Sequence, residues 1–320
     1  MHSDSSRPDN GGAPFFIVLN IGSGHGDANT AKTLIGAVLR EAGRHHEFFM
    51  VQNPDDIDAQ ARRAVKAASE QGGVVVAAGG DGTLNSVAQI VLESDVTFAV
   101  LPQGTFNYFG RTHGISTDTE AATRALLRAT AGPAQVGLVN DRLFLVNASI
   151  GLYPRIFENR ETDKKKFGRF RLVALGSGLM TLLRGYRQMH LLIERDGISL
   201  AARTATLFVG NNPLQLQQLG ISEADSEQPD QLIAVMPRPV GQLAMLRLVV
   251  QGMFGRLSEA KDVDSFAFNT MNVEFRTHQK RQLKVAIDGE VVWETTPLAI
   301  RVSPKPLTML LPAPEDRVVE

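Results

Sequence analysis

Residues Val74 to Asn85 read Val-Val-Val-Ala-Ala-Gly-Gly-Asp-Gly-Thr-Leu-Asn, and their types and spacing suit the binding of a phosphate. A short apolar run rich in β-branched residues predicts a buried parallel strand. It enters Gly79-Gly80-Asp81-Gly82-Thr83, after which Leu84, Val87, Ala88, Val91 and Leu92 recur at helical spacing. Three glycines in four positions let the backbone approach a bulky anion without a Cβ in the way. The helix that follows aims its first N–H groups and positive dipole end at that anion. Asp81 is the odd residue, since a carboxylate repels phosphate; it makes sense acting through a magnesium ion, through a donor hydroxyl, or as an organiser of the loop. The alternative is an ordinary tight turn in which Asp81 only bonds local amides.

The surrounding elements are those of an α/β domain. Phe15–Leu19 predicts a first strand ending in Asn20-Ile21-Gly22-Ser23-Gly24, followed by a helix over about 30–42 closed by Gly43. Glu47–Val51 predicts a second strand. Asn53-Pro54-Asp55-Asp56 starts a helix that runs to about Gln71, stopped by Gly72-Gly73. The Val74–Ala78 strand, the glycine turn and a helix to about Glu93 come next, then a strand at Thr97–Leu101 ending in Pro102-Gln103-Gly104-Thr105-Phe106-Asn107. Strands alternating with such helices imply a doubly wound parallel sheet, whose ligands bind beyond the carboxyl ends of the strands. Three strand ends therefore carry Gly, Ser, Thr or Asn clusters that could meet at one site.

From about residue 134 the pattern becomes one of hairpins. Ala134–Val139 and Arg142–Ala148 flank Asn140-Asp141; Leu191–Glu194 and Ile198–Phe208 flank Asp196-Gly197. Further strands are expected at Leu232–Met236, Asp264–Phe268, Met271–Arg276, Leu283–Ile287, Leu298–Val302 and Leu307–Leu311, and an apolar helix at Pro239–Phe254. The expected fold is thus α/β plus all-β: a tail over 1–13, an α/β domain over 14–133, an antiparallel β-sandwich over 134–312 with a helical insertion near 158–188, and a tail over 313–320. The insertion begins Asp163-Lys164-Lys165-Lys166-Phe167-Gly168-Arg169-Phe170-Arg171 and turns apolar. It suits docking to an anionic membrane surface, or equally a core helix with a solvated basic end.

Composition narrows the class. Lys and Arg number 33 against 34 Asp and Glu, so no charge bias points to nucleic acid. The absence of cysteine excludes disulfides and thiolate metal sites and agrees with a reducing compartment. The polar N-terminus lacks the apolar core of a signal peptide, and no run approaches the ~20 apolar residues of a membrane span. The expectation is a soluble, cytoplasmic protein whose membrane contact is peripheral, at the inner membrane face.

Taken together, the motifs resemble a known family. Gly79–Thr83 with Leu84-Asn85, then Leu101-Pro102-Gln103-Gly104-Thr105-Phe106-Asn107-Tyr108-Phe109-Gly110-Arg111, are similar to the catalytic domain of diacylglycerol kinases and their bacterial lipid kinase relatives. Asn147-Ala148-Ser149-Ile150-Gly151-Leu152-Tyr153-Pro154, Gly210-Asn211-Asn212 and Ile287-Asp288-Gly289-Glu290 look like that family's later motifs in the same order. The resemblance covers about residues 15–312. It implies an α/β domain and a β-sandwich with ATP in the cleft between them. It also implies that Gly79, Gly80, Asp81, Gly82, Thr83, Leu84 and Asn85 hold the ATP phosphates, with Asp81 near magnesium. Asn20, Ser23, Thr105 and Asn107 would line the nucleotide pocket, and Glu290 would be the general base that deprotonates a lipid hydroxyl. That assignment fits phosphoryl transfer, which needs positioning, charge neutralisation and an oriented nucleophile. Read only locally, Asp288-Gly289 is a hairpin turn and Glu290 a solvated residue after it.

Three positions depart from the commonest family pattern. Tyr108 stands where many members have Asp, leaving an aromatic that could stack on the nucleotide. Val51 and Gln52 replace a threonine before the second helix. Leu219-Gly220-Ile221-Ser222-Glu223-Ala224-Asp225 does not match the loop that binds a structural magnesium in some members, so that metal is not assigned. Two other readings stay open. An NAD kinase shares the glycine turn, but no Gly-Ser-Thr-Ala-Tyr-like segment is present; a binding protein with little turnover would not need to keep both Asp81 and Glu290.

Overall fold

The apolar runs of the first third form the strands their composition demands. In the computed structural model, which describes residues 12–21, 28–151, 188–195, 197–218, 220, 231–253, 256, 260, 262–276 and 281–318, β1 (Phe15–Asn20), β2 (His46–Val51), β3 (Val74–Gly79) and β4 (Thr97–Pro102) run parallel. Every residue of β3 is buried, as expected for a strand covered on both faces. Between them lie α1 (Ala28–Glu41), α2 (Ile57–Gln71) and α3 (Asp81–Leu92). A single turn at Pro54–Asp56 leads into α2, and Gly72 ends it in the left-handed region (φ 64°), donating to the Ala68 carbonyl. After β4 come the short α4 (Tyr108–Thr112), α5 (Thr119–Arg128), capped by the Asp118 side chain on the Ala121 N–H (2.8 Å), and β5 (Thr130–Ala134).

The hairpin region builds a second compact unit, residues 136–303, distinct from the unit of residues 1–135 and 304–320. Its strands are β6 (Gly137–Val139), β7 (Arg142–Phe144), β8 (Asn147–Gly151), β9 (Met189–Arg195), β10 (Ile198–Thr204), β11 (Thr206–Gly210), β12 (Leu232–Pro237), β13 (Val263–Phe268), β14 (Thr270–Phe275), β15 (Gln282–Ile287), β16 (Glu290–Thr295) and β17 (Leu298–Val302). They form two antiparallel six-stranded sheets, ordered β10-β9-β14-β17-β6-β7 and β13-β12-β11-β8-β15-β16. Alternate residues of both sheets, among them Ile150, Ile193, Val209, Val273, Val285 and Ile300, share one apolar core. Helices Pro213–Gln218 and Gln242–Met253 accompany the sheets, the latter burying Met245 and Leu248 against Ala205.

Several expected strands are redistributed. Leu307–Leu311, placed in the sandwich by its position in the chain, is β18 of the first unit, inserted between β4 (parallel) and β5 (antiparallel) to give the order β2-β1-β3-β4-β18-β5. A mostly apolar pentapeptide suits any buried strand position, and nothing local chooses its partner. The β-domain therefore ends near 303, not 312. Residues 313–318 are not a loose tail: Arg128 pairs with Asp316, and the Val318 N–H reaches the Gly114 carbonyl at 2.9 Å.

Ala134–Val139 is likewise divided between β5 and β6, and Arg142–Ala148 between β7 and β8, which lie in different sheets. Ile198–Phe208 splits at Ala205 into β10 and β11, again of different sheets. There the buried Thr204 hydroxyl bonds the Pro237 carbonyl (2.8 Å) and receives the Thr206 N–H (3.3 Å), holding the bend. The expected helical insertion (except Gln188), the loop 219–225 (except Gly220), most of the N-terminal tail, and Ser23 lie outside the described residues.

Candidate active site

In the first sheet the chain leaves β1 towards β2 on one side and leaves β3 towards β4 on the other. Right-handed crossovers then place α1 and α3 on opposite faces, in keeping with the packing of α1 on α5 and of α2 on α3. The exits of β1 and β3 diverge at their carboxyl ends, which is where such sheets bind ligands.

At that point the glycine turn is built tightly. Gly80 is the N-cap of α3, with extended backbone (φ −81°, ψ 176°), and Leu84 N–H closes the first helical bond to its carbonyl at 3.0 Å. A glycine cap has no side-chain oxygen, so the leading N–H groups of α3 receive none from it. That start fits an anion, a phosphate above all. Asn20, at the end of β1, donates from Nδ2 to the buried Thr83 Oγ1 at 2.8 Å and ties the two strand exits together. Leu84 is wholly buried and serves the core; Gly82 and Asn85 are half-buried.

The loop after β4 packs onto this turn. Gln103 N–H donates to the Gly79 carbonyl (2.8 Å). Asn107, in the left-handed region (φ 52°) and buried, closes a ring on Gly104: its Oδ1 accepts from Gly104 N (2.8 Å) and its Nδ2 donates to Gly104 O (2.9 Å). Its side chain thereby holds the loop at the position where the resemblance implies a pocket-lining residue. Thr105 and Phe106 are exposed, and the Phe106 ring stacks parallel on Tyr108 with centroids 5.6 Å apart.

Asp81 bonds amides, though not local ones. Its carboxylate faces the backbone N–H groups of Asn107, Tyr108 and Phe109, the last at 3.5 Å, and so caps α4 from another element. Burial pushes its pKa up, and those three amides pull partly against the shift. Tyr108 is also raised, chiefly by burial.

The later motifs converge in the second unit. Asp288, with φ 46°, and Gly289, with φ 90°, form the turn between β15 and β16. The Asp288 carboxylate accepts three backbone N–H groups, from Leu145 (2.7 Å), Val146 (2.9 Å) and Asn147 (2.8 Å). Asn211 N–H donates to the Val146 carbonyl and its Nδ2 to the Leu145 carbonyl, while Asn147 Nδ2 donates to Gln215 Oε1 (2.9 Å). Glu290, paired in register with Ile287, begins β16 and is exposed. The two carboxylates of this turn thus differ: Asp288 holds backbone, and Glu290 stands at the solvent.

Gly104, Asp288 and Asn211 were quoted with the motifs but given no site role. The Asp-Gly turn could have marked Asp288, since Asp tolerates left-handed backbone and captures amides. Among the described residues no group of three His, Cys, Asp or Glu side chains could hold a metal, and no helix is long and apolar enough to cross a membrane.

An α/β unit followed in the chain by an antiparallel β region is a fold also found in known proteins. Residues 14–139 match the diacylglycerol kinase catalytic domain. Two Pseudomonas aeruginosa proteins (strains UCBPP-PA14 and PAO1), both named "Probable lipid kinase YegS-like", are 30% identical over 288 residues, 87% of this chain and 88% of theirs. The crystal structure of a diacylglycerol kinase from Bacillus anthracis str. Sterne superposes with a TM-score of 0.68 at 19% identity, over 94% of this chain and 97% of that one, and shares the fold. The chain belongs to the diacylglycerol kinase catalytic-domain family.

Proposed function

We propose that the protein is an ATP-dependent lipid kinase, transferring the γ-phosphate of ATP to the hydroxyl of diacylglycerol or a related lipid alcohol. The observation that carries this is the opening of α3 at Gly80, without a side-chain cap, between the carboxyl ends of β1 and β3. The names of the relatives support a lipid acceptor. In this reading the α3 N-terminus, with Gly80, Gly82 and Thr83, seats the phosphates, and Asn20 holds Thr83 in place. The exposed Phe106 ring is available to the base.

Magnesium would be held by the ATP phosphates with one protein carboxylate, Asp81, which fits an ion that keeps most of its other ligands as water; bound there, it would neutralise phosphate charge. Asp81 also keeps α4 and the Gly104 loop against the glycine turn. In the transfer, the acceptor oxygen forms a bond to the γ-phosphorus, the bond from that phosphorus to the β–γ bridging oxygen breaks, ADP leaves, and the acceptor proton passes to the Glu290 carboxylate. The acceptor is amphipathic, so the enzyme works at a membrane surface, as a peripheral protein of the inner face.

The test is transfer of radiolabelled phosphate from ATP to a panel of diacylglycerol, sphingoid base, ceramide and phosphatidylglycerol, with NAD as control and EDTA as the metal check. Glu290→Gln is expected to lower turnover at least a hundredfold with nucleotide binding retained, and Asp81→Ala to abolish transfer. Phosphorylation of NAD alone, or near wild-type turnover in Glu290→Gln, would overturn the reading.

A further inference from the structure

Two buried polar atoms on β8 have no hydrogen-bond partner among the described residues: Asn147 Oδ1 and Ser149 Oγ, on residues only 5% and 3% exposed. Buried polar side chains are nearly always bonded, and each exception asks for a reason, an absent ligand among them. Strand alternation puts 147 and 149 on one face, away from Ala148 and Ile150, which point into the sandwich core.

The frame around them is fixed. Asn147 is held by both backbone bonds to Asp288 and by its Nδ2 to Gln215, so its carboxamide is aimed without its oxygen being used. Ser149 lies opposite Phe208 on β11 and Ala286 on β15. Phe208 packs in turn with Leu216, Ile233 and Val235. The unsatisfied pair therefore borders an apolar cluster, and Asn147 is bonded to Asp288, which stands two residues before Glu290.

We propose that Asn147 Oδ1 and Ser149 Oγ form the polar subsite for the head of the acceptor. The acceptor would be an amphipathic alcohol carrying a second oxygen function on the adjacent carbon, with its hydrocarbon towards the Phe208 cluster. This rests on the lipid-kinase reading and deepens it. The carboxamide oxygen can only accept and so holds the acceptor hydroxyl in the ground state, before its proton passes to Glu290 in the transfer; the serine hydroxyl can donate to an ester carbonyl or accept from a second alcohol. Two such groups about 7 Å apart along a strand suit a glycerol-type head and discriminate against a simple long-chain alcohol, which would leave one of them unbonded.

The experiment compares 1,2-dioctanoylglycerol with 1-dodecanol as acceptors, by ATP transfer and by titration of the fluorescence of Trp293, the one tryptophan of the chain. The wild type is expected to prefer the diacylglycerol. Ser149→Ala and Asn147→Ala should each raise the KM for the diacylglycerol roughly tenfold, the loss of about one hydrogen bond, and narrow its advantage over dodecanol. The KM for ATP should not move. Ser149→Ala should melt no lower than the wild type, because the hydroxyl it removes has no partner, and it keeps the test open should Asn147→Ala fail to fold. An unchanged acceptor KM in Ser149→Ala, with the wild type active on diacylglycerol, overturns the subsite alone. A wild type that neither binds nor phosphorylates either probe overturns the lipid-alcohol reading, and the subsite with it.

Discussion

Gly104 lies against Gly80 so closely that a Cβ on Gly104 would come within 2.8 Å of the Gly80 Cα and 2.9 Å of Asn107 Oδ1. A Cβ on Gly80 would meet the Gly104 Cα at 3.4 Å, an ordinary contact. The loops after β3 and β4 are thus packed backbone on backbone, and Gly104 carries the stricter requirement. Gly104→Ala is expected to cost about 1–3 kcal/mol, as overpacking does, and to weaken ATP binding at least tenfold by displacing the glycine turn. Gly80→Ala should change stability by less than about 0.5 kcal/mol. Urea unfolding and titration with a fluorescent ATP analogue measure both; equal effects of the two substitutions would refute the asymmetry.

The two carboxylates of the β15–β16 turn should separate under mutation. Asp288→Ala strands three backbone N–H groups and puts alanine at a left-handed position, for a loss of about 3 kcal/mol or more. Asp288→Asn keeps the turn conformation and one oxygen, and should lose about half as much. Glu290→Gln, at an exposed strand start, should leave stability within about 0.5 kcal/mol while lowering transfer at least about a hundredfold. Thermal melts beside the transfer assay check this; a Glu290→Gln protein that melts as early as Asp288→Ala would make Glu290 structural.

His113 gives the first unit an acid-sensitive point. Burial, with Arg317 adding, pushes its pKa down to about 4, and its ring stands edge-on to Phe109 with centroids 4.8 Å apart. The unfolded chain, with an ordinary imidazole near 6.5, binds the proton first as pH falls. Stability contributed by neutral His113 is therefore complete above about pH 6.5 and is lost towards pH 4, by about 2 kcal/mol at pH 5. His113→Asn should flatten the fall in urea-unfolding free energy between pH 7 and pH 5. An unaltered slope would mean that His113 titrates alike in both states.

The fold was legible where one residue type allowed one answer. The Val74–Ala78 run could only be a two-faced buried strand, Gly72 had to end a helix, and Asp288-Gly289 had to turn a hairpin. It was not legible where local pattern leaves the partner open. Leu307–Leu311 reads the same in either unit, and the Ile198–Phe208 stretch hides the change of sheet at Ala205. The candidate site divides in the same way. The glycine turn suited an anion seat in the sequence, but nothing local said that Asn107 would bond Gly104 or that the amides bonded by Asp81 lie 26 to 28 residues further along the chain.

By itself, the amino-acid sequence determined the two-part class of the chain, the uncapped glycine turn at the start of a helix, and the family motifs in order. These rest on short-range physics: periodicity, backbone freedom and the chemistry of neighbouring residues. Only the tertiary structure decided what each motif residue touches: Gly80 on Gly104, Asn20 on Thr83, Asp288 on the amides of residues 145–147, and two β8 side-chain oxygens, Asn147 Oδ1 and Ser149 Oγ, left unbonded among the described residues. Those contacts join positions up to 143 residues apart, and long-range pairing depends on the shape and satisfaction of the whole packed unit, which no local stretch of residues records.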